Sequence, residues 1–304
     1  MPRNARKITI SAAAGAVALL AFAAPGAAGW REDAGTFRIG MVAEPGAGQS
    51  VAGLAALKDA YSAALGLPVE ILVARSLPAL VAAQADRRVD YAVYTAAAYA
   101  TAWRLCGCVE PVAAPVGADG STGLRGVLLA RSAAAGSLSQ VGGRRVAIAG
   151  KGPLSAVGEL VRAAAAVGGT APALVEAASA EEAERLFGSG EVEFILGWEP
   201  VDATGAGTGG AGTLQRLASG GTGGDLLTLW SSKPVRYGPH AVRTDLDGEA
   251  KRLLADFLTG LKDRQPEIYD LVEFHRQGGL VVTAHDAYQG AVDAVGAIAA
   301  APRL

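Results

Sequence analysis

The chain has 304 residues, of which 51% are apolar and 18% charged, so it can bury a real core as one large domain or two lobes of ordinary size. Its formal net charge is −2 and it carries no basic cluster after the N-terminus, which argues against nucleic acid or an anionic membrane as its partner.

Arg3, Arg6 and Lys7 form a basic head, Ile8 to Ala24 an apolar run, and residues 25–29 (PGAAG) a small-residue exit. These are the three parts of a secretory signal peptide. A membrane anchor needs about 20 strongly apolar residues, and this run is shorter and built mostly of Ala. Residues 1–29 are therefore read as a leader cleaved near residue 28 or 29. The mature protein is expected in the periplasm, with no insertion into the membrane and no lipid anchor, because no Cys lies near the cleavage point. Loss of three basic residues takes the formal charge from −2 to −5. Cys106 and Cys108 can close a small disulfide in an oxidising compartment, a question the spacing leaves open, and two Cys alone cannot build a zinc site.

The mature part alternates strand and helix signals. Residues 37–42 (FRIGMV) read as a buried strand, followed by a helix with Leu54, Leu57, Tyr61 and Leu65 on one face and Gly66 as its C-cap. Residues 69–73 form the next strand, Ser76 caps a helix, residues 90–94 (DYAVY) form a third strand, and Thr95 opens a helix through Trp103. This βαβαβα pattern implies a parallel sheet covered by helices. Residues 109–116 and 126–130 read as strands with no helix between them. Alternation then resumes with a strand at 145–149, a helix at 154–167, a strand at 174–177, a helix at 180–187 and a strand at 192–198. Residues 204–224 contain nine glycines and read as a surface loop. Short strands at 226–230 and 240–243 precede helices at 248–261, 266–274 and 285–298. The expected division is a first lobe from 36–128 and 238–304, and a second from 129–237. Strands 127–130 and 240–243 are the expected crossings.

In parallel α/β sheets, ligands sit outside the carboxyl ends of strands, where helix N-termini offer free N–H groups. Three such turns stand out: Glu44-Pro45-Gly46; Tyr94-Thr95, with Tyr99 further along the helix; and residues 150–156, which carry Lys151 and Ser155. Trp198, Glu199 and Asp202 follow a fourth strand. Tyr94 and Tyr99 could equally be core residues, and the Ser155 turn an ordinary cap. The three His residues, His240, His275 and His285, all lie late in the chain, with no G-x-S-x-G and no metal spacing, so neither a catalytic triad nor a metal or cofactor is expected. Gly207, Gly209 and Gly212 match G-x-G-x-x-G, but inside a glycine-rich loop, which makes the match accidental.

With these segments placed, the chain resembles the periplasmic phosphonate/phosphite-type (PhnD-like) solute-binding proteins of ABC importers. The resemblance rests on FRIGMV…EP, YSAALGLPVEILVA, LPALVAAQADRRVDYAVYTAAAYATA, LSQVGGRRVAIAG, AEEAERLFGSGEVEFILG and HAVRTDLDGEAKRLLADFL. It implies an α/β, two-lobed periplasmic-binding-protein type II fold with two hinge strands. It also implies a monomer that binds a small ligand, a phosphonate or related oxyanion, and delivers it to a membrane permease. Such proteins carry a Ser-Thr-Ser-Gly run where this chain reads GPLSAVG, keeping Ser155 and Gly158, and a His where it has Ala178-Ser179-Ala180. Glu193 matches an acidic position in the following strand. The expected ligand contacts are Tyr94, Thr95, Tyr99 and Ser155, with Lys151, Glu44 and Glu199 after them. The alternatives are a periplasmic ligand sensor feeding a membrane kinase, and an enzyme on the same fold.

Overall fold

The computed structural model describes residues 29–42, 53–131, 136–149, 154–210, 212–222, 226–273 and 275–300. Residues 1–28 of the expected leader, Glu44 and Lys151 lie outside them. No described helix is long and apolar enough to cross a membrane.

After a short helix α1 (Trp30–Ala34), the first sheet is built on β1 (Phe37–Val42), which pairs in parallel with β2 (Val69–Ala74) and β3 (Tyr91–Val93). The crossovers are α2 (Leu54–Leu65) and α3 (Leu77–Ala85), which begin and stop where the sequence marks them. The Gly66 N–H donates to the Ser62 carbonyl at 2.9 Å, and Ser76 Oγ accepts from the Ala79 N–H at 3.3 Å. Both backbone groups would otherwise be orphaned at a helix end. Asp90 ties the start of β3 to β1 through three hydrogen bonds from Arg38, at 2.9, 3.0 and 2.9 Å. Helix α4 (Ala96–Cys106) follows, then a Cys106–Cys108 disulfide at its end, then β4 (Val109–Pro115).

The second sheet repeats the scheme. β6 (Arg145–Ala149) pairs in parallel with β7 (Ala173–Ala177) and with β8 (Phe194–Val201), and α5 (Leu154–Ala166) and α6 (Ala180–Gly188) connect them. β5 (Gly123–Arg131) runs antiparallel to β8, and β9 (Leu226–Ser231) and β10 (Val235–Arg236) pair with β5. A short helix α7 (Thr213–Leu217) lies in the glycine-rich stretch. The chain then returns to the first sheet as β11 (His240–Arg243), which inserts antiparallel between β3 and β4, and later adds β12 (Leu280–Val282) at the edge. Helices α8 (Gly248–Arg264) and α9 (Pro266–Val272) pack with α2, while α10 (Gln289–Ala300) packs on α4. Both sheets therefore share one wiring, β2-β1-β3-β11 in one and β7-β6-β8-β5 in the other.

The crossings fall elsewhere than the sequence suggests. Residues 127–130 are paired on both sides, with β8 and β9, inside the second sheet. Their continuous apolar reading marks a central strand buried on both faces. The chain changes sheets at 116–122, and it returns at 237–239, just before β11, which lies wholly in the first sheet.

One polar chain runs through the first core. The Tyr61 and Tyr91 hydroxyls are 2.9 Å apart, and the Tyr91 hydroxyl is 2.5 Å from His240 Nδ1. All three residues are buried, and His240 Nε2 has no partner. Burial pulls the imidazole down to about 4, whereas an unfolded His titrates near ~6.5. Between those values the unfolded chain holds more protons than the folded one, so this contribution is complete above about pH 6.5 and declines as pH falls toward 4. We expect stability to drop over this window by roughly a few kcal/mol at most. Denaturant titrations at several pH values should show His240→Gln with a flatter profile than the parent, and equal profiles would refute the assignment.

Candidate functional site

At the carboxyl end of the first sheet, Tyr94 follows β3 and Thr95 caps α4, its Oγ1 accepting from the Ala98 N–H at 3.1 Å. The Tyr94 N–H donates to the Pro239 carbonyl at 3.0 Å, so the second crossing lies directly on the end of β3. Gly238 is required there, because a Cβ would stand 1.8 Å from the Tyr94 carbonyl oxygen. Tyr94 is 3% exposed and its hydroxyl has no partner. Burial without a compensating hydrogen bond pushes that phenol well above its ordinary value. Tyr99 lies differently. Its hydroxyl meets His285 Nδ1 at 2.7 Å, its ring stands edge-on to Tyr288, and His285 stacks on Trp103. The helical spacing that placed Tyr99 near Tyr94 turns its ring toward His285 and Tyr288, in the turn just before α10.

The second sheet offers the matching end. Helix α5 starts close against β5, and Gly126 allows it, since a Cβ there would be 2.7 Å from the Ala156 Cβ. Ser155 is in the first turn of α5, and its side chain lies outside the described part. Ser179 caps α6 by accepting from the Glu182 N–H at 3.2 Å. Between the starts of these helices and the ends of β6 and β8 is a cavity of about 210 Å³, with Trp198 and Thr213 in its wall. The Thr213 hydroxyl oxygen accepts from the Trp198 N–H at 3.1 Å. Arg216 lies 4.7 Å over the Trp198 ring and forms an ion pair of 2.5 Å with Glu184. Of this cluster only Trp198 stands out in the sequence; Glu184, Thr213 and Arg216 come from α6 and from a stretch that reads as a loop.

Glu199 forms a 2.6 Å ion pair with Arg125 across β5 and β8. Asp202 closes its own turn by accepting from Thr204 and Ala206. Glu193 precedes β8, at the opposite end of the sheet, where it accepts from Arg144 and Arg145. Among the described residues no group of three or more His, Cys, Asp or Glu is placed to hold a metal.

A network between the lobes was also missed. Ser121 Oγ donates to Asp119 Oδ1 at 2.6 Å and stands 2.8 Å from the Tyr237 hydroxyl. Thr208, from the glycine-rich stretch, donates to Asp119 Oδ2 at 2.7 Å. Partial burial works to raise the Asp119 carboxyl, but these hydrogen bonds outweigh it and hold the group below the usual carboxylate range.

Two lobes of like wiring, joined by two crossings, make a frame of the kind that holds a ligand between lobes. The family described as the periplasmic substrate-binding protein of phosphonate ABC transporters matches residues 39–196. The chain belongs to this family. It is an extracytoplasmic solute-binding protein of the two-lobed type II fold. No curated protein matches it in sequence. Among solved structures, XAC2383 from Xanthomonas citri bound to ATP gives a TM-score of 0.59 at 14% identity, over 88% of this chain and 100% of that one. The same protein bound to chloride gives 0.57 at 14%, over 87% and 99%. PhnD1 from Prochlorococcus marinus (MIT 9301), in complex with methylphosphonate, gives 0.48 at 12%, over 87% and 98%. At such identities the first two likenesses speak to the fold of the binding protein alone.

The unpartnered Tyr94 hydroxyl carries a desolvation cost that nothing in the free protein repays. Tyr94→Phe should therefore raise the stability of the unliganded protein by about 1 kcal/mol, read as a higher thermal midpoint, and a lower midpoint would show that the hydroxyl is already satisfied.

Proposed function

We propose that this binding protein captures a phosphonate or related small oxyanion between the carboxyl ends of its two sheets and delivers it to the permease of an ABC importer. It acts as a monomeric carrier rather than as an enzyme, after removal of a leader near residue 28 or 29. The observation that carries this reading is Tyr94. The residue carries a buried, unpaired hydroxyl, stands immediately before the N-terminus of α4 and bonds the second crossing through its backbone, and a helix start together with a phenol favours an anion. Thr95 contributes by holding that helix start in place, and Ser155 belongs to the first turn of α5. Lys151 and Glu44 belong to the neighbouring turns by sequence.

The test is thermal unfolding of residues 30–304 against phosphite, phosphate, alkyl and aryl phosphonates, sulfonates and amino acids. A ligand at one hundred times its dissociation constant adds about 2.7 kcal/mol, a rise of a few degrees. Tyr94→Phe should weaken the binding of that ligand by roughly twofold to tenfold, the worth of one hydrogen bond, even though it stabilises the empty protein. A shift with amino acids alone would replace the oxyanion reading, and undiminished binding by the Phe variant would remove Tyr94 from the site.

A further inference from the structure

Among the described residues, the cavity at the end of the second sheet is lined mainly by apolar side chains. Ile148, Ala149, Ala156, Ile195, Leu196 and Trp198 supply half of its twelve described lining residues. Among the described lining residues the carboxylate is Glu184, and it is ion-paired with Arg216, so the two charges compensate each other. The Thr213 hydroxyl oxygen is engaged by the Trp198 N–H and by Arg216 at 3.3 Å. Small oxyanions need several aimed donors, and among the described residues this wall supplies apolar surface instead. An apolar cavity of about 150 Å³ accepts a benzene ring, and this one measures about 210 Å³.

We infer that the second lobe receives a ring-sized apolar group of the ligand, seated against Trp198. The ligand class is an organic oxyanion, such as an aryl phosphonate, whose charged head lies toward Tyr94 and the helix starts. The inference rests on the solute-binding reading above. It assigns Trp198 as the wall that selects the substituent, and the Glu184–Arg216 pair as the brace that fixes the face of that wall. Ala180, half-buried in the first turn of α6, lines the same space and marks where it can be filled.

The test compares phenylphosphonate with methylphosphonate by calorimetry, in the parent, Ala180→Phe and Trp198→Ala. Circular dichroism confirms that each variant folds, and the second variant serves if the first does not. The inference expects phenylphosphonate to bind the parent about tenfold to a hundredfold more tightly than methylphosphonate. It expects either variant to erase most of that preference. If methylphosphonate binds at least as tightly and neither variant alters the ratio, the inference fails while the solute-binding reading stands. If neither compound nor any other oxyanion binds the parent, both fail.

Discussion

Every feature of the proposed cleft depends on the hydrogen bonds that tie the two inter-sheet crossings to each other. The Tyr237 N–H donates to the Thr122 carbonyl at 3.0 Å. Because Ser121 Oγ gives its proton to Asp119, the Tyr237 hydroxyl must donate to Ser121. Tyr288 holds the Tyr237 carbonyl from the first lobe, and Arg276 lies 4.0 Å over the Tyr237 ring. Two strands of chain joined in this way resist sliding and shear but still allow rotation about their shared direction. This is the mechanical basis of a hinge that closes two lobes on a ligand.

In the proposed site, the carboxyl ends of the two sheets differ in chemistry. The first lobe offers a buried phenol that lacks a partner and a capped helix start, which suit a polar head. The second lobe offers an apolar recess whose charges cancel one another. The glycine-rich stretch contributes Thr208 to the crossing network and Thr213 and Arg216 to the recess. It is therefore a structural strap across both features, though its composition alone suggests only a surface loop.

Most of the βα framework was legible because its signals are local. The β1–α2–β2 unit is bounded by Gly66 and Ser76, and β6, β7 and α6 have clean apolar runs with a Ser cap. The crossings were misplaced because residues 127–130 read the same whether they pair on one side or on two. β10 and β12, of two and three residues, are too short to carry a period. The site was less legible still. Tyr94 and Thr95 could be picked out because a strand end and a helix cap coincide there. The Asp119–Thr208 hydrogen bond spans 89 positions and the Glu184–Arg216 pair 32, and each depends on how loops fold back, which no spacing rule encodes.

The central claim is that ligand capture brings the lobes together about the tied crossings. Pulsed electron-spin distance measurement tests it most directly, with one label at exposed Lys58 on the first lobe and another at exposed Glu181 on the second. The measurement uses whichever compound calorimetry shows to bind. The account predicts that the distance distribution shifts to a new, shorter and narrower population at saturation, with circular dichroism unchanged. A distribution identical with and without saturating ligand would contradict it, because the ligand would then be held without closure.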